Sequence, residues 1–115
     1  MNSSSIGKGE VDDNFEKHKN DEKAKIFLFL NKAYKGDVKA VRRYLKTDPE
    51  LLNKHDYDKR TALHLAAAEG HIDLVNFIVK KTDVDKGKKD RWGITPLEEA
   101  KKKRDDEIIN ILQSS

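Results

Sequence analysis

The 115-residue chain contains no cysteine and no long apolar stretch. Without thiols it can form neither disulfides nor thiolate chemistry, and nothing in it favours an oxidising compartment. Its longest apolar run, Ile26 to Leu30, is far shorter than the roughly 20 residues of a membrane-spanning helix. The N-terminal segment lacks the apolar core of a secretory signal and contains no Arg, so it does not resemble a mitochondrial presequence. We therefore expect a cytoplasmic protein, with the nucleus as the alternative, and no membrane partner.

A strong excess of one charge is also missing. The 24 basic and 21 acidic residues give a formal charge of +3, which does not indicate a nucleic-acid or membrane binder. Charged residues make up 39% of the chain, and the polar excess is concentrated near the N-terminus. This distribution predicts a disordered or partly helical tail over residues 1–24 and one small domain over residues 25–115.

What the chain does contain is an internal repeat with a period of 34 residues. Gly70–Ile72 superimposes at this offset on Gly36–Val38, and Thr61–Leu63 superimposes on Thr95–Leu97. A single period that recurs twice and preserves residue type indicates a repeat architecture. The predicted units are residues 25–55 (unit 1), 56–89 (unit 2) and 90–115 (unit 3).

Each unit has the pattern of a helix pair. In unit 2, Thr61 is an N-cap residue for a first helix that we expect to reach about Glu69. Gly70 suits the positive φ that commonly ends a helix. A second helix over residues 72–81 follows, and its predicted apolar face consists of Ile72, Val75, Ile78 and Val79.

The flanking units carry matching signals. Pro96 fits the first helical turn of unit 3, where its missing N–H costs nothing. In unit 1, Asp48-Pro49 ends the second helix at about Thr47.

The segment Thr61–Ala67, followed by Gly70-His71, resembles the signature of an ankyrin repeat. The resemblance covers Lys25 to about Gln113. It implies an all-α solenoid of three helix-loop-helix units with short hairpin-like loops, preceded by a flexible tail. Several positions depart from the family pattern, and those in units 1 and 3 are typical of terminal capping units. The departures include Ala62 in place of Pro, Lys59 and Arg104 in place of Gly, and Glu98 in place of His.

Three sequence segments look like the ankyrin region that follows the catalytic domain in animal-type glutaminases. They are Ala33–Leu45, Asp56–His71 and Lys89–Ala100. The last two also resemble ankyrin segments of plant ankyrin-repeat kinases. In glutaminases the catalytic domain is a separate unit with a nucleophilic Ser and a Lys base, and no part of this chain corresponds to it. The resemblance therefore implies shared ankyrin ancestry and no transferred activity.

Catalytic constellations are absent from the sequence. The serines lie near the chain ends, at Ser3, Ser4, Ser5, Ser114 and Ser115, where no pocket can enclose them. The four histidines lack zinc-ligand spacing, and no Gly-rich phosphate loop follows a strand. We therefore expect no enzyme, no metal and no cofactor. The resemblance instead implies structural roles for His64 and His71, with His64 hydrogen-bonding within and between repeat loops.

Two alternatives to a protein-binding module stay open. Basic clusters at Lys86, Lys88, Lys89 and at residues 101–104 could contact phosphate non-specifically. Acidic residues interleave with the second cluster, so solubilising charge is the favoured interpretation, and weak nucleic-acid binding ranks below protein binding. The other alternative is a regulatory or assembly partner of a glutaminase-like enzyme.

The ankyrin resemblance implies partner binding through hairpin tips and exposed first-helix positions. Trp92 is the sharpest candidate, because Trp, Tyr and Arg dominate interface energetics. Its structural alternative is packing onto Tyr57 or onto the aliphatic stem of a neighbouring Lys or Arg. We expect a monomer. The partner-binding candidates are Tyr34, Lys35, Tyr57, Asp58, Arg60, Glu69, Arg91, Trp92 and Ile94.

Overall fold

The computed structural model describes residues 10–114, with side chains from residue 21 onward, and contains no strand in that range. Its α-helices are α1 Glu10–Lys35, α2 Val38–Thr47, α3 Ala62–Ala68, α4 Ile72–Lys81, α5 Pro96–Lys102 and α6 Asp106–Ser114. A 3₁₀ helix, Pro49–Asn53, follows α2. The all-α architecture of three helix pairs that the sequence predicted is therefore confirmed.

The helices form two layers. The first helices α1, α3 and α5 pack side by side, and α2, α4 and α6 line up behind them. Ala66, Ala67 and Ala100 are fully buried. Their small side chains allow the first helices to approach one another closely. Larger side chains fill the space between the layers, among them Phe29, Leu51, Leu63, Leu74, Ile78 and Ile108.

The capping signals in unit 2 are confirmed. The Thr61 hydroxyl accepts from the backbone N–H of His64 at 3.4 Å, and α3 begins at the next residue after Thr61. The range of α4 agrees with the prediction, and the predicted face lies against the core, but the prediction left out Leu74. Leu74 is fully buried, whereas Ile72 and Val79 are only half-buried. Because α4 contacts α2, α3 and α6, its buried stripe is broader than the predicted face and includes Leu74.

Helix α1 is much longer than its counterparts in units 2 and 3. It crosses the predicted boundary at residue 25, and its 26 residues span about 39 Å. Of the predicted tail, residues 1–9 lie outside the described residues, and the division of the chain at residue 24 stays a prediction. Although α1 is long, no helix within residues 10–114 combines the length and the apolar content needed to cross a membrane.

The 3₁₀ helix was not predicted. Helix α2 ends at Thr47, as the sequence indicated, and Pro49 opens the 3₁₀ helix. Its Leu51 and Leu52 are buried and fill the base of unit 1. The segment after Pro49 therefore contributes to the core.

Left-handed backbone recurs at equivalent positions. Gly36 and Gly70 connect the two helices of units 1 and 2 at φ +74° and +76°, and Arg104 occupies this position in unit 3 at φ +58°. In the loops that precede α3 and α5, Lys59 and Gly93 have φ values of +60° and +78°. Lys59 and Arg104 thus adopt the conformation that glycine favours. The repeat geometry is preserved where the family residue is absent.

Candidate partner-binding surface

Tip 1 is the loop Asp56–Arg60, and one side chain of the loop accepts hydrogen bonds from two of its backbone N–H groups. The Oδ1 atom of Asp56 accepts from the backbone N–H groups of Asp58, at 2.8 Å, and Arg60, at 3.0 Å. The backbone N–H groups of Lys59 and Asp56 donate to the carbonyl oxygens of Asp56 and Arg60, at 3.0 and 3.1 Å. Tyr57 lies at the apex and is 102% exposed. The tip is rigidly hydrogen-bonded, yet its aromatic side chain touches nothing that shields it.

Tip 2, residues Asp90–Ile94, repeats this geometry. The Oδ1 atom of Asp90 accepts from the backbone N–H groups of Trp92 and Ile94, both at 2.9 Å. The backbone N–H groups of Gly93 and Asp90 donate to the carbonyl oxygens of Asp90 and Ile94, again at 2.9 Å. Trp92 is 63% exposed, whereas the Asp90 carboxylate that organises the loop is buried. The 34-residue period therefore holds at the level of single hydrogen bonds.

Arg91 connects the two tips. Its backbone N–H donates to the carbonyl oxygen of Asp58 at 2.8 Å, and its Nη1 atom lies 3.3 Å from Asp58 Oδ1. The same guanidinium lies over the Trp92 ring, 5.5 Å from the ring centroid. Of the two structural contacts that the sequence suggested for Trp92, packing onto Tyr57 is wrong, because Tyr57 is 102% exposed, and packing against a neighbouring Arg is found, through its guanidinium. Arg91 covers one face of Trp92 instead, while Tyr57 is left fully in solvent.

His64 supports tip 2 from below. Its Nδ1 atom accepts from the backbone N–H of Thr61 at 3.2 Å, and its Nε2 atom donates to the carbonyl oxygen of Ile94 at 2.8 Å. Burial lowers the pKa of the imidazole below its ordinary value of 6.5, against the hydrogen bond to Ile94, which raises it. A neutral ring with its proton on Nε2 satisfies both partners. The predicted hydrogen bonding of His64 within and between repeat loops is confirmed.

The nine candidate residues divide into two groups. The tip surface comprises Tyr57, Asp58, Arg60, Arg91, Trp92 and Ile94. Of these, Tyr57, Arg91 and Trp92 are exposed and the others are half-buried. The helix-end group comprises Tyr34, Lys35 and Glu69, all exposed.

The helix-end group lies at the opposite end of the first helices from the tips. Glu69 is the C-cap residue of α3, whereas tip 1 precedes the N-cap of that helix. The seven residues of α3 separate the two ends by about 10 Å. The backbone here is fixed by His71, whose Nε2 atom donates to the carbonyl oxygen of Tyr34 at 2.7 Å. The structure therefore does not bring all nine candidates into one patch.

Sequence reasoning missed two exposed apolar residues on α1, one of which, Phe27, lies beside tip 1. Phe27 is 70% and Leu28 45% exposed on α1. A signal for them exists, because five consecutive apolar residues on a helix cannot all face one side. A groove of about 530 Å³ runs between α1 and tip 1. It is lined by Lys23, Ile26, Phe27, Leu30, His55, Asp56, Tyr57 and Asp58.

The tip surface presents aromatic rings, one guanidinium and a backbone that is already hydrogen-bonded. Over the described residues, no group of three or more His, Asp or Glu side chains could hold a metal ion. What the arrangement offers a partner is area, shape and a few fixed polar groups.

The family model for ankyrin repeats (three copies) matches residues 29–115. The chain belongs to the ankyrin-repeat family. It is similar to the liver isoform of mitochondrial glutaminase from Rattus norvegicus, with 48% identity over 88 residues, which is 76% of this chain and 14% of that protein. Putative glutaminase 2 of Caenorhabditis elegans is 40% identical over 94 residues, 82% of this chain and 15% of that protein.

A plant kinase matches over a similar share of this chain. The serine/threonine-protein kinase VIK of Arabidopsis thaliana is 40% identical over 99 residues, 84% of this chain and 22% of the kinase. The chain thus spans only 14% to 22% of the length of these relatives. In the glutaminases, the matched stretch is the ankyrin part of a longer protein. The glutaminase resemblance seen in the sequence is confirmed at that level.

Proposed function

We propose that this ankyrin-repeat protein is a non-catalytic interaction module that binds a protein partner through its tip surface. The observation that carries the proposal is the position of Arg91. It joins tip 2 to Asp58 of tip 1 and covers one face of Trp92, which stays 63% exposed. Large aromatic residues that are held in place lose little conformational entropy on binding. Trp, Tyr and Arg are also the residue types that dominate binding energy.

The proposal also covers the cellular location and the absence of a catalytic role. It places the protein in the cytoplasm, with the nucleus as the alternative, and assigns it no catalytic role. Ankyrin repeats serve generally as protein-binding scaffolds, which supports a protein partner over a nucleic acid. The alternative function is a regulatory or assembly partner of a glutaminase-like enzyme, and 48% identity to the ankyrin part of a glutaminase supports it.

The experiment is affinity capture with tagged protein, identification of bound proteins by mass spectrometry, and measurement of Kd for each purified candidate. We expect Trp92→Ala with Arg91→Ala to weaken the partner at least about tenfold. The matched control is Tyr34→Ala, which removes an exposed aromatic residue from the helix-end group. Equal Kd values for wild type and the double variant, with the fold intact, would refute binding through the tips.

A separate outcome identifies the alternative function. If the captured partner is a glutaminase-like enzyme, the measured quantity becomes its assembly state and activity with and without this protein. A partner that Tyr34→Ala weakens and the tip variant does not would assign binding to the helix-end group.

A further inference from the structure

A second groove opens in the layer of second helices, between α2 and α4. It has a volume of about 480 Å³. Helix α2 contacts α4 less extensively than α4 contacts α6, and the 3₁₀ helix lies at the base of the opening. Leu45, Leu52 and Phe77 supply its apolar surface, and the guanidinium of Arg42 lies over the Phe77 ring, 5.6 Å from the centroid. None of these residues belongs to the tip surface or the helix-end group.

One side of this groove is formed by the basic helix α2, whose Arg42 and Lys46 line it. Helix α2 has four basic residues and no acidic residue in its ten positions. Lys39, Arg42, Arg43 and Lys46 are all exposed. The ion pairs found within residues 21–114 are Lys25–Asp48 and Arg91–Asp58, and neither involves α2. The four charges of α2 are therefore uncompensated by ion pairs in this part of the chain.

The basic character is specific to this end of the stack. Helix α6, the equivalent helix of unit 3, carries Asp106 and Glu107 and no basic residue. Helix α4 between them has both signs, with Asp73 in its first turn and Lys80 and Lys81 in its last. The charge on the second-helix layer thus changes sign from unit 1 to unit 3. Charge that served only for solubility would be interspersed along the layer.

We propose that the α2–α4 groove binds an acidic peptide segment of a partner protein that also carries an aliphatic or aromatic side chain. Carboxylates of the segment pair with the cations of α2, chiefly Arg42 and Lys46. The apolar side chain packs onto Leu45, Leu52 and Phe77. Charge complementarity directs the segment to the groove, and burial of its apolar side chain against the floor provides affinity.

The other rim favours a peptide over a nucleic acid. Glu50 and Asp83 line the groove together with Lys81, and the Glu50 carboxylate accepts from Asn53 Nδ2 at 3.0 Å. A phosphate backbone that follows the groove would pass two carboxylates, whereas a peptide can place neutral residues there. The apolar floor also offers nothing to a phosphate. The inference goes beyond the proposed function and concerns a separate surface, so failure of either leaves the other standing.

The test uses a fluorescein-labelled peptide of about 12 residues built from Glu-Leu-Glu-Phe repeats. Fluorescence anisotropy measures its Kd for the full chain. We expect saturable binding that weakens as salt is raised. Arg42→Gln with Lys46→Gln is expected to weaken binding at least about tenfold. The matched control, Lys101→Gln with Lys102→Gln, removes the same charge from exposed positions on α5 and is expected to leave Kd unchanged.

Two further peptides separate the contributions. Replacing every Glu by Gln removes the charge, and replacing Leu and Phe by Ser removes the apolar groups; each is expected to weaken binding. Circular dichroism confirms that the variants, altered only at exposed positions, keep their helical content. The idea is overturned by absence of saturable binding up to about 1 mM, by equal losses in both double variants, or by undiminished binding of the Ser peptide. Tighter binding of a single-stranded oligonucleotide that displaces the peptide would overturn it in favour of a nucleic-acid site.

Discussion

The Nε2 atom of His64 donates to the carbonyl oxygen of Ile94, 30 residues later in the chain, at 2.8 Å. The bond ties the first helix of unit 2 to the loop of unit 3. Because the opposite ring nitrogen accepts from Thr61, the imidazole cannot gain a proton without losing a partner. One buried side chain thereby couples helix capping in one repeat to tip geometry in the next.

We predict that the free energy of unfolding decreases as the pH falls below about 6.5, the ordinary pKa of His64. The folded state lowers this pKa, so in that range the unfolded chain binds the proton and the folded protein does not. The stability that the neutral His64 contributes is therefore fully present above pH 6.5, and it is lost as the pH falls through the lower pKa of the folded state. Urea denaturation at pH values between about 7.5 and 5 measures the slope. His64→Gln should be less stable at neutral pH and less dependent on pH; an unchanged slope would assign the effect to other groups.

Gly36→Ala should destabilise the protein more than Gly93→Ala. Both glycines have φ near +75°, so both variants carry the left-handed cost of about 1–2 kcal/mol. At Gly36 a Cβ atom would also lie 2.5 Å from Nδ1 of His71, whereas at Gly93 nothing lies within 4 Å. Chemical denaturation of both variants gives the difference. Equal losses would mean that His71 moves aside freely.

Arg104→Gly should stabilise the protein by up to about 1 kcal/mol. Arg104 has φ +58° and is exposed, so the substitution relieves left-handed strain without removing a buried contact. The greater flexibility of glycine in the unfolded chain offsets part of the gain. Thermal unfolding followed by circular dichroism should show a rise of several degrees in Tm. A lower Tm would show that the Arg104 side chain makes a stabilising contact.

Asp90→Ala should cost about 1–3 kcal/mol of stability, because two backbone N–H groups lose their acceptor. Asp90→Asn is the matched control, since its amide oxygen can still accept from Trp92 and Ile94. Denaturation curves should place the Asn variant close to wild type and the Ala variant well below it. Similar losses in both variants would mean that the negative charge of Asp90, rather than its Oδ1 atom, holds the tip.

The parts of this fold that follow local rules could be read from the sequence. Thr61, Gly70 and Pro49 mark helix ends because capping and φ restrictions act over a few residues. The start of helix α1 could not be predicted from such local signals. Glu22 occupies the position equivalent to Asp56 and Asp90, and the chain there is helical instead of forming a tip. A Glu side chain one methylene longer favours helix over the turn that Asp closes.

The sequence placed the tip residues in adjacent loops, but it could not give the contacts between them, and the binding role of the candidate residues stays a prediction. The 34-residue period places Tyr57 and Trp92 in adjacent tips, which made stacking between them a reasonable expectation. The outcome depended on Arg91, whose backbone and side chain both reach Asp58. Because that interaction joins residues of two different units, no short sequence pattern predicts it. The exposure of Phe27 and the groove between α2 and α4 likewise depend on packing between helices.

The chain has a single tryptophan, and it lies on the tip surface. Because Trp92 is 63% exposed, it should emit at long wavelength in the native state, and unfolding should change that emission little. Its fluorescence is therefore a poor probe of denaturation. It is a sensitive probe of contact at the tips, because a partner that covers the ring would shift emission to the blue. The protein therefore carries its own optical reporter on the surface proposed to bind the partner, and no label has to be attached.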